Sequence, residues 1–276
     1  RTLTARPALT GAGPAPGYGV ERWAAALPDP VTFHEETETV RLLKLPLADA
    51  RVSALAWTPD AGAVIELAGA AERKRAGSKA LFVANPADES GFVLAPPRHA
   101  TRGGDYRLLA AGAGHCFLRG GGTTRMLPCH PEARTERILP TASNALAAHP
   151  AQPWCALVRP ASGDRFEVVE IDTETLSARL VWHTSARPAE ALAYSAQGEC
   201  LAALMPHASG GILWMLYPDQ NARRVADAVQ RLPGRAFAPH DAGKLLVVRA
   251  GDGDTGQLEV LDTASGAAAY TIGPGD

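Results

Sequence analysis

The sequence predicts an all-β fold, a β-propeller of six four-stranded blades with seven as the alternative count, its ring closed by one or more N-terminal strands. Three observations predict it. The C-terminal stretch "QLEVLDTASGAAAYTIGPG" is two alternating runs around a turn. The same unit recurs upstream about every 45 residues, within the 20 to 50 residue period that marks solenoids and propellers. Each copy reads as four short strands, A to D, joined by tight turns.

The turns set the register. Asp172, Asp219 and Asp262 sit in "EIDTETLSARLV", "WMLYPDQNARRV" and "EVLDTASGAAAYTI", at steps of 47 and 43 residues. Upstream of the C to D turns, "ALAWTPDAGAVIEL", "ALAAHPAQPWCALV", "ALAYSAQGECLAAL" and "RAFAPHDAGKLLVV" each carry an apolar run, a polar turn and a second apolar run. Those turns begin at Pro59, Pro150, Ala196 and His240, and "RLLAAGAGHCFLRG" supplies one more copy. In the third copy the strands are expected at 144–149, 154–159, 166–171 and 178–183. Residues 1–276 thus read as a single propeller domain: 51–276 hold five recognisable repeats, and 1–50 an irregular segment plus a partial blade. Within the latter, "VTFHEE" and "TVRLLKLP" (39–46) are expected as strands C and D. In "RRVADAVQRL", Val225, Ala228, Val229 and Leu232 also follow helical spacing, so a short helix in place of strand D stays open.

The phrases "AYSAQGECLAAL" and "VLDTASGAAAYTI" resemble those of YVTN-type and WD-repeat propellers, over residues 51–276. The Gly-His and Trp-Asp dipeptides of true WD repeats are missing, so the resemblance implies architecture and leaves function to be argued from sites.

Cys116, Cys155 and Cys200 fall near the start of strand B in successive copies and are expected to face the core between sheets as small hydrophobes. Cys129 lies across the B to C hairpin from Cys116; a cross-strand bridge there is open, though its geometry is usually unfavourable. Trp57, Trp154, Trp182 and Trp214 sit in apolar strands and are read as blade packing, whereas Trp23 lies in the irregular segment.

Composition bounds the function. The formal charge of -2 and pI near 6.5 give no bulk attraction to nucleic acid. No apolar run approaches the roughly 18 residues of a membrane helix. The preference for Arg over Lys, with abundant Ala, Gly and Pro, reads as a GC-rich bacterial genome, and the cytoplasm and periplasm are both open. In such a fold the B to C and D to A connections share one face. Arg119, Arg159 and Arg249 recur there where strand B ends, joined by Arg73 and Arg98 in neighbouring loops. Asp60, Asp172, Glu174, Asp219, Asp241 and Asp262 fall on the opposite face, where Asp stabilises tight turns locally. A basic rim would recognise carboxylates bidentately and steer an acidic partner.

Catalytic patterns are weak. His149 and His240 lie at equivalent turns, as polar turn residues do by default. Asp252 and Asp254 in "GDGDTG" lack the later acidic ligand of a calcium loop. HExxH, GxSxG and a phosphate loop are all missing. No catalytic residue, cofactor or metal is implied. The reading favoured is a non-enzymatic scaffold or protein-interaction module docking an acidic-surfaced protein through the Arg-rich face, within a bacterial assembly, with no nucleic acid and no membrane insertion. The alternative is a lactonase- or quinoprotein-type propeller with a ligand in its central channel.

Overall fold

The computed structural model describes residues 2–3, 31–32, 51–58, 62–68, 79–85, 90–94, 106–132, 135–183, 186–208, 210–219, 221–233, 237–238, 241–250 and 256–272. Strand D at 39–46, Trp23, Arg73, Arg98, Asp60, His240, Asp252 and Asp254 lie outside them. The side chains of Trp57 and Asp241 do as well.

Every helix or strand described is a strand. After the short antiparallel pair β1 (Thr2–Leu3) and β2 (Val31–Thr32), the chain builds successive four-stranded meanders. The first comprises β3 (Arg51–Thr58), β4 (Gly62–Ala68), β5 (Lys79–Asn85) and β6 (Ser90–Leu94). The second comprises β7 (Tyr106–Gly112), β8 (His115–Gly120), β9 (Thr123–Pro128) and β10 (Arg137–Ile138). The third comprises β11 (Leu146–Ala148), β12 (Trp154–Pro160), β13 (Phe166–Asp172) and β14 (Ala178–His183), matching the expected bounds to within two residues. The fourth comprises β15 (Ala191–Tyr194), β16 (Leu201–Met205), β17 (Gly211–Leu216) and β18 (Ala222–Arg231). The fifth comprises β19 (Phe237–Ala238), β20 (Asp241–Ala250), β21 (Gly256–Asp262) and β22 (Ala268–Ile272). The leading strands β3, β7, β11 and β15 lie against one another in sequence, as innermost strands do when sheets converge on an axis.

Alternation along each strand sends side chains to both faces, and in the second, third and fourth units both faces are apolar because the sheet is packed between neighbours. Val64, Leu81 and Val83 meet Leu108, Cys116 and Leu118 between the first two units. Phe117 and Met126 meet Cys155, Leu157 and Val169 between the second and third. Val158, Val168 and Trp182 meet Leu201, Ala203 and Leu216 next, and Leu204, Leu213 and Met215 meet Leu245, Val247 and Leu261 last. The layers demand close backbone approach in places. A Cβ on Gly112 of β7 would stand 2.7 Å from Ala148 Cβ of β11 and 2.6 Å from His149 O just after it, so only glycine fits.

The structure refines three sequence expectations. Residues 222–231 form a strand, and its helix-like spacing has a physical cause. Pairing with β17 shifts register between Gly211 and Trp214, and Ala228 takes a positive φ of 56°, so a bulge resets the alternation and leaves Ala226, Val229 and Leu232 buried. The bend also carries Val229 and Arg231 onto β20, joining the fourth and fifth units in one continuous sheet instead of two separate blades. Finally, Cys116 and Cys155 face the preceding unit, but Cys200 faces the following one. It sits just before β16 and one position out of phase, and a one-residue offset reverses the face. All four cysteines are buried thiols. Cys116 pairs in register with Leu127, so Cys129 is its diagonal neighbour, and the hydrogen bond between the two thiols, with burial, holds the Cys116 thiol well above its ordinary pKa. Among the described residues, neither β1 nor β2 pairs with β22.

Candidate functional site

Arg119, Arg159 and Arg249 each stand one residue before the end of a second strand, β8, β12 and β20. The structure therefore puts the three at equivalent points of one rim, but their surroundings differ. Arg159 is directly opposite Glu167 on β13, and its Nε donates to Glu167 Oε1. Arg249 Nε lies 3.0 Å from Glu259 Oε2, an ion pair whose angle falls short of a hydrogen bond. Both glutamates are buried, so each arginine neutralises a carboxylate of its own sheet.

Among the described residues, Arg119 has no such partner. The residue opposite it on β9 is Thr124, and the residue opposite on β7 is a second cation, Arg107. Both reach Asn144: Arg119 Nε donates to its Oδ1 at 3.3 Å and Arg107 Nη2 to its backbone oxygen at 3.4 Å. Arg119 Nη1 is buried and makes no hydrogen bond. These groups line a cleft of about 650 Å³ formed by the ends of β7, β8, β12 and β13, the segments entering β11 and β15, and the residue after β16. Val158, Phe166, Pro188 and Pro206 make its apolar side, and Glu190 lines it too.

Asn144 is positioned by its neighbour. Buried Ser143 receives a bond from Val158 N at 3.1 Å and donates to Ala145 O at 2.7 Å, while Ser143 N donates to Thr124 Oγ1 at 2.9 Å. A side chain on β9 thus locks the loop that enters the third unit.

The other polar features are structural. Asp172 Oδ1 accepts from Glu174 N and Thr175 N at 2.8 and 2.7 Å, and Asp262 Oδ1 from Ala264 N and Ser265 N at 3.0 and 2.8 Å. These bonds hold both carboxyls below the usual carboxylate range, those from Thr175 and Ser265 contributing most. His149 Nδ1 accepts from Ala151 N and Gln152 N at 3.2 and 2.9 Å, and burial lowers its pKa. Buried Glu170 accepts from Arg179 Nη1 and, at 2.6 Å, from the Tyr194 hydroxyl of the next unit. Arg179 stacks 3.3 Å above Trp154, Trp182 is buried and Trp214 packs beside it. Among the described residues, no three His, Cys, Asp or Glu side chains gather as a metal site, and no helix is long and apolar enough to cross a membrane.

No protein-family model and no curated protein sequence matches this chain. Solved structures that share its course include two in protein complexes. A chain of the nidogen/laminin complex is 11% identical, with 88% of this chain and 89% of that one covered and a TM-score of 0.53. A chain of the mitotic checkpoint complex is 13% identical, with 91% and 74% covered and a TM-score of 0.53. Both are β-propellers. This chain has a β-propeller fold. In the propeller, Arg107 and Asn144 are the site residues that periodicity did not single out. Arg107 occupies strand A where the pattern ranks only strand B, and the sole signal in the sequence is its cross-strand register with Arg119.

Proposed function

We propose that the propeller is a non-enzymatic scaffold, a protein–protein interaction module that docks an acidic-surfaced partner through the rim where its second strands end, as a subunit of a bacterial assembly. One observation carries the reading. Among the described residues, Arg107 and Arg119 face each other without a carboxylate in ion-pair range, whereas Arg159 and Arg249 have Glu167 and Glu259. Like charges directly opposed across strands destabilise a sheet, and a complementary partner turns that cost into attraction and faster association. Arg73 and Arg98 belong to the same proposed face.

Partner capture by the wild-type chain and by the double reversal R107E/R119E tests this. The reversal removes binding, and wild-type association slows steeply as salt is raised from 50 to 300 mM, roughly across the range where screening shortens to below 10 Å. A folded double variant that retains every partner overturns it.

A further inference from the structure

We infer that the cleft spanning the second, third and fourth blades is a binding site for a single carboxylate carried on an apolar stem, gripped by Arg107 and Arg119. The first argument is unused donor capacity. Arg119 spends Nε on the neutral Asn144 amide oxygen at 3.3 Å, and its buried Nη1 makes no hydrogen bond. An unsatisfied buried donor is costly, and bonds from guanidinium to carboxylate run shorter, at about 2.7–2.9 Å. A carboxylate entering beside Asn144 therefore meets Arg119 Nε and Arg107 Nη2, which the protein holds only in long bonds of 3.3 and 3.4 Å.

The second argument is charge. Two guanidinium groups and one carboxylate, Glu190, line the cleft, and this balance suits a monoanion better than a phosphate dianion. The third is shape. The volume of about 650 Å³ is that of a small-ligand pocket, and Val158, Phe166 and Pro188 give an apolar wall along which a hydrocarbon stem desolvates. The fourth is preorganisation: the Thr124–Ser143–Val158 bonds fix the loop that presents Asn144, so little ordering accompanies binding. The same chemistry is offered by a free organic acid and by a glutamate side chain of a peptide.

The test titrates the full chain with 4-methylpentanoate and its amide, with the capped peptide Ac-Ala-Leu-Glu-Leu-Ala-NH2 and its Gln counterpart, and with inorganic phosphate. Binding is read by calorimetry and by the shift in thermal midpoint. At least one acid binds about tenfold or more tightly than its neutral counterpart, and R107Q and R119Q each weaken it about tenfold. The control R224Q, on the exposed part of β18, leaves it unchanged. Whichever acid binds identifies the source as a small molecule or a peptide. Both glutamine variants relieve the like-charge pair, so their midpoints stay at or above wild type and a loss of binding is not unfolding. Absence of binding by both acids, equal binding of acid and neutral forms, insensitivity to both substitutions, or tighter binding of phosphate overturns the inference.

Discussion

His149 holds the turn after β11 as a neutral imidazole, since Nδ1 accepts two backbone amides and has no room for a proton. The ring is edge-on to Trp154 and Tyr194, and it packs so closely on Gly198 that a Cβ there would overlap Nε2. Burial lowers the His149 pKa most; Glu170 and the Gly198 backbone raise it less, and Arg179 lowers it. The unfolded value is about 6.5, so the unfolded chain binds the proton first. Stability is full above that pH and is lost as pH falls from about 6.5 through the depressed folded value. Between pH 7.5 and 5, wild type therefore loses more stability than His149→Asn, which keeps an acceptor for Ala151 and Gln152 without titrating. Urea unfolding at both pH values checks this, and parallel losses would contradict it. Glu170 supplies a second residue-scale prediction. Removing the guanidinium in Arg179→Met leaves a buried carboxylate with the Tyr194 hydroxyl, costing about 1–3 kcal/mol in chemical denaturation.

Strands, as elements, are joined by a recurring device. An outer strand donates a side-chain bond to the third turn of the next blade: Arg137 of β10 to Thr173 O at 2.8 Å, Trp182 of β14 to Tyr217 O at 2.8 Å, and Arg223 of β18 to Ala264 O at 2.8 Å. Gly112 plays the matching role at the inner strands, and Gly112→Val lowers stability by about 1–3 kcal/mol through overpacking against β11, read as a fall in thermal midpoint. Ala228→Gly relieves its positive φ and leaves stability equal or higher, whereas a helix over 222–231 would be weakened. The third blade was legible in the sequence because its turns carry Pro, Asp and Gly at a fixed period. The continuous sheet through β18 and β20 was not, since a bulge in β18 imitates helical spacing and shows only in its pairing with β17. Likewise Cys200 has the right place in the repeat but the wrong phase.

At the scale of the whole molecule, a formal charge of -2 conceals a rim whose cations are unequal. Sequence periodicity located Arg119, Arg159 and Arg249 at one level, yet it cannot see that Glu167 and Glu259 cancel two of them, because each pairing runs across strands. In the proposed docking, the charge left to attract a partner is therefore that of Arg107 and Arg119. The most direct measurement follows the arginine side-chain Nε–Hε NMR signals of the full chain during titration with the capped glutamate peptide. The account predicts that the signals of Arg107 and Arg119 shift while those of Arg159 and Arg249 stay in place. Movement of Arg159 and Arg249 alone, or uniform movement of all four, would contradict it.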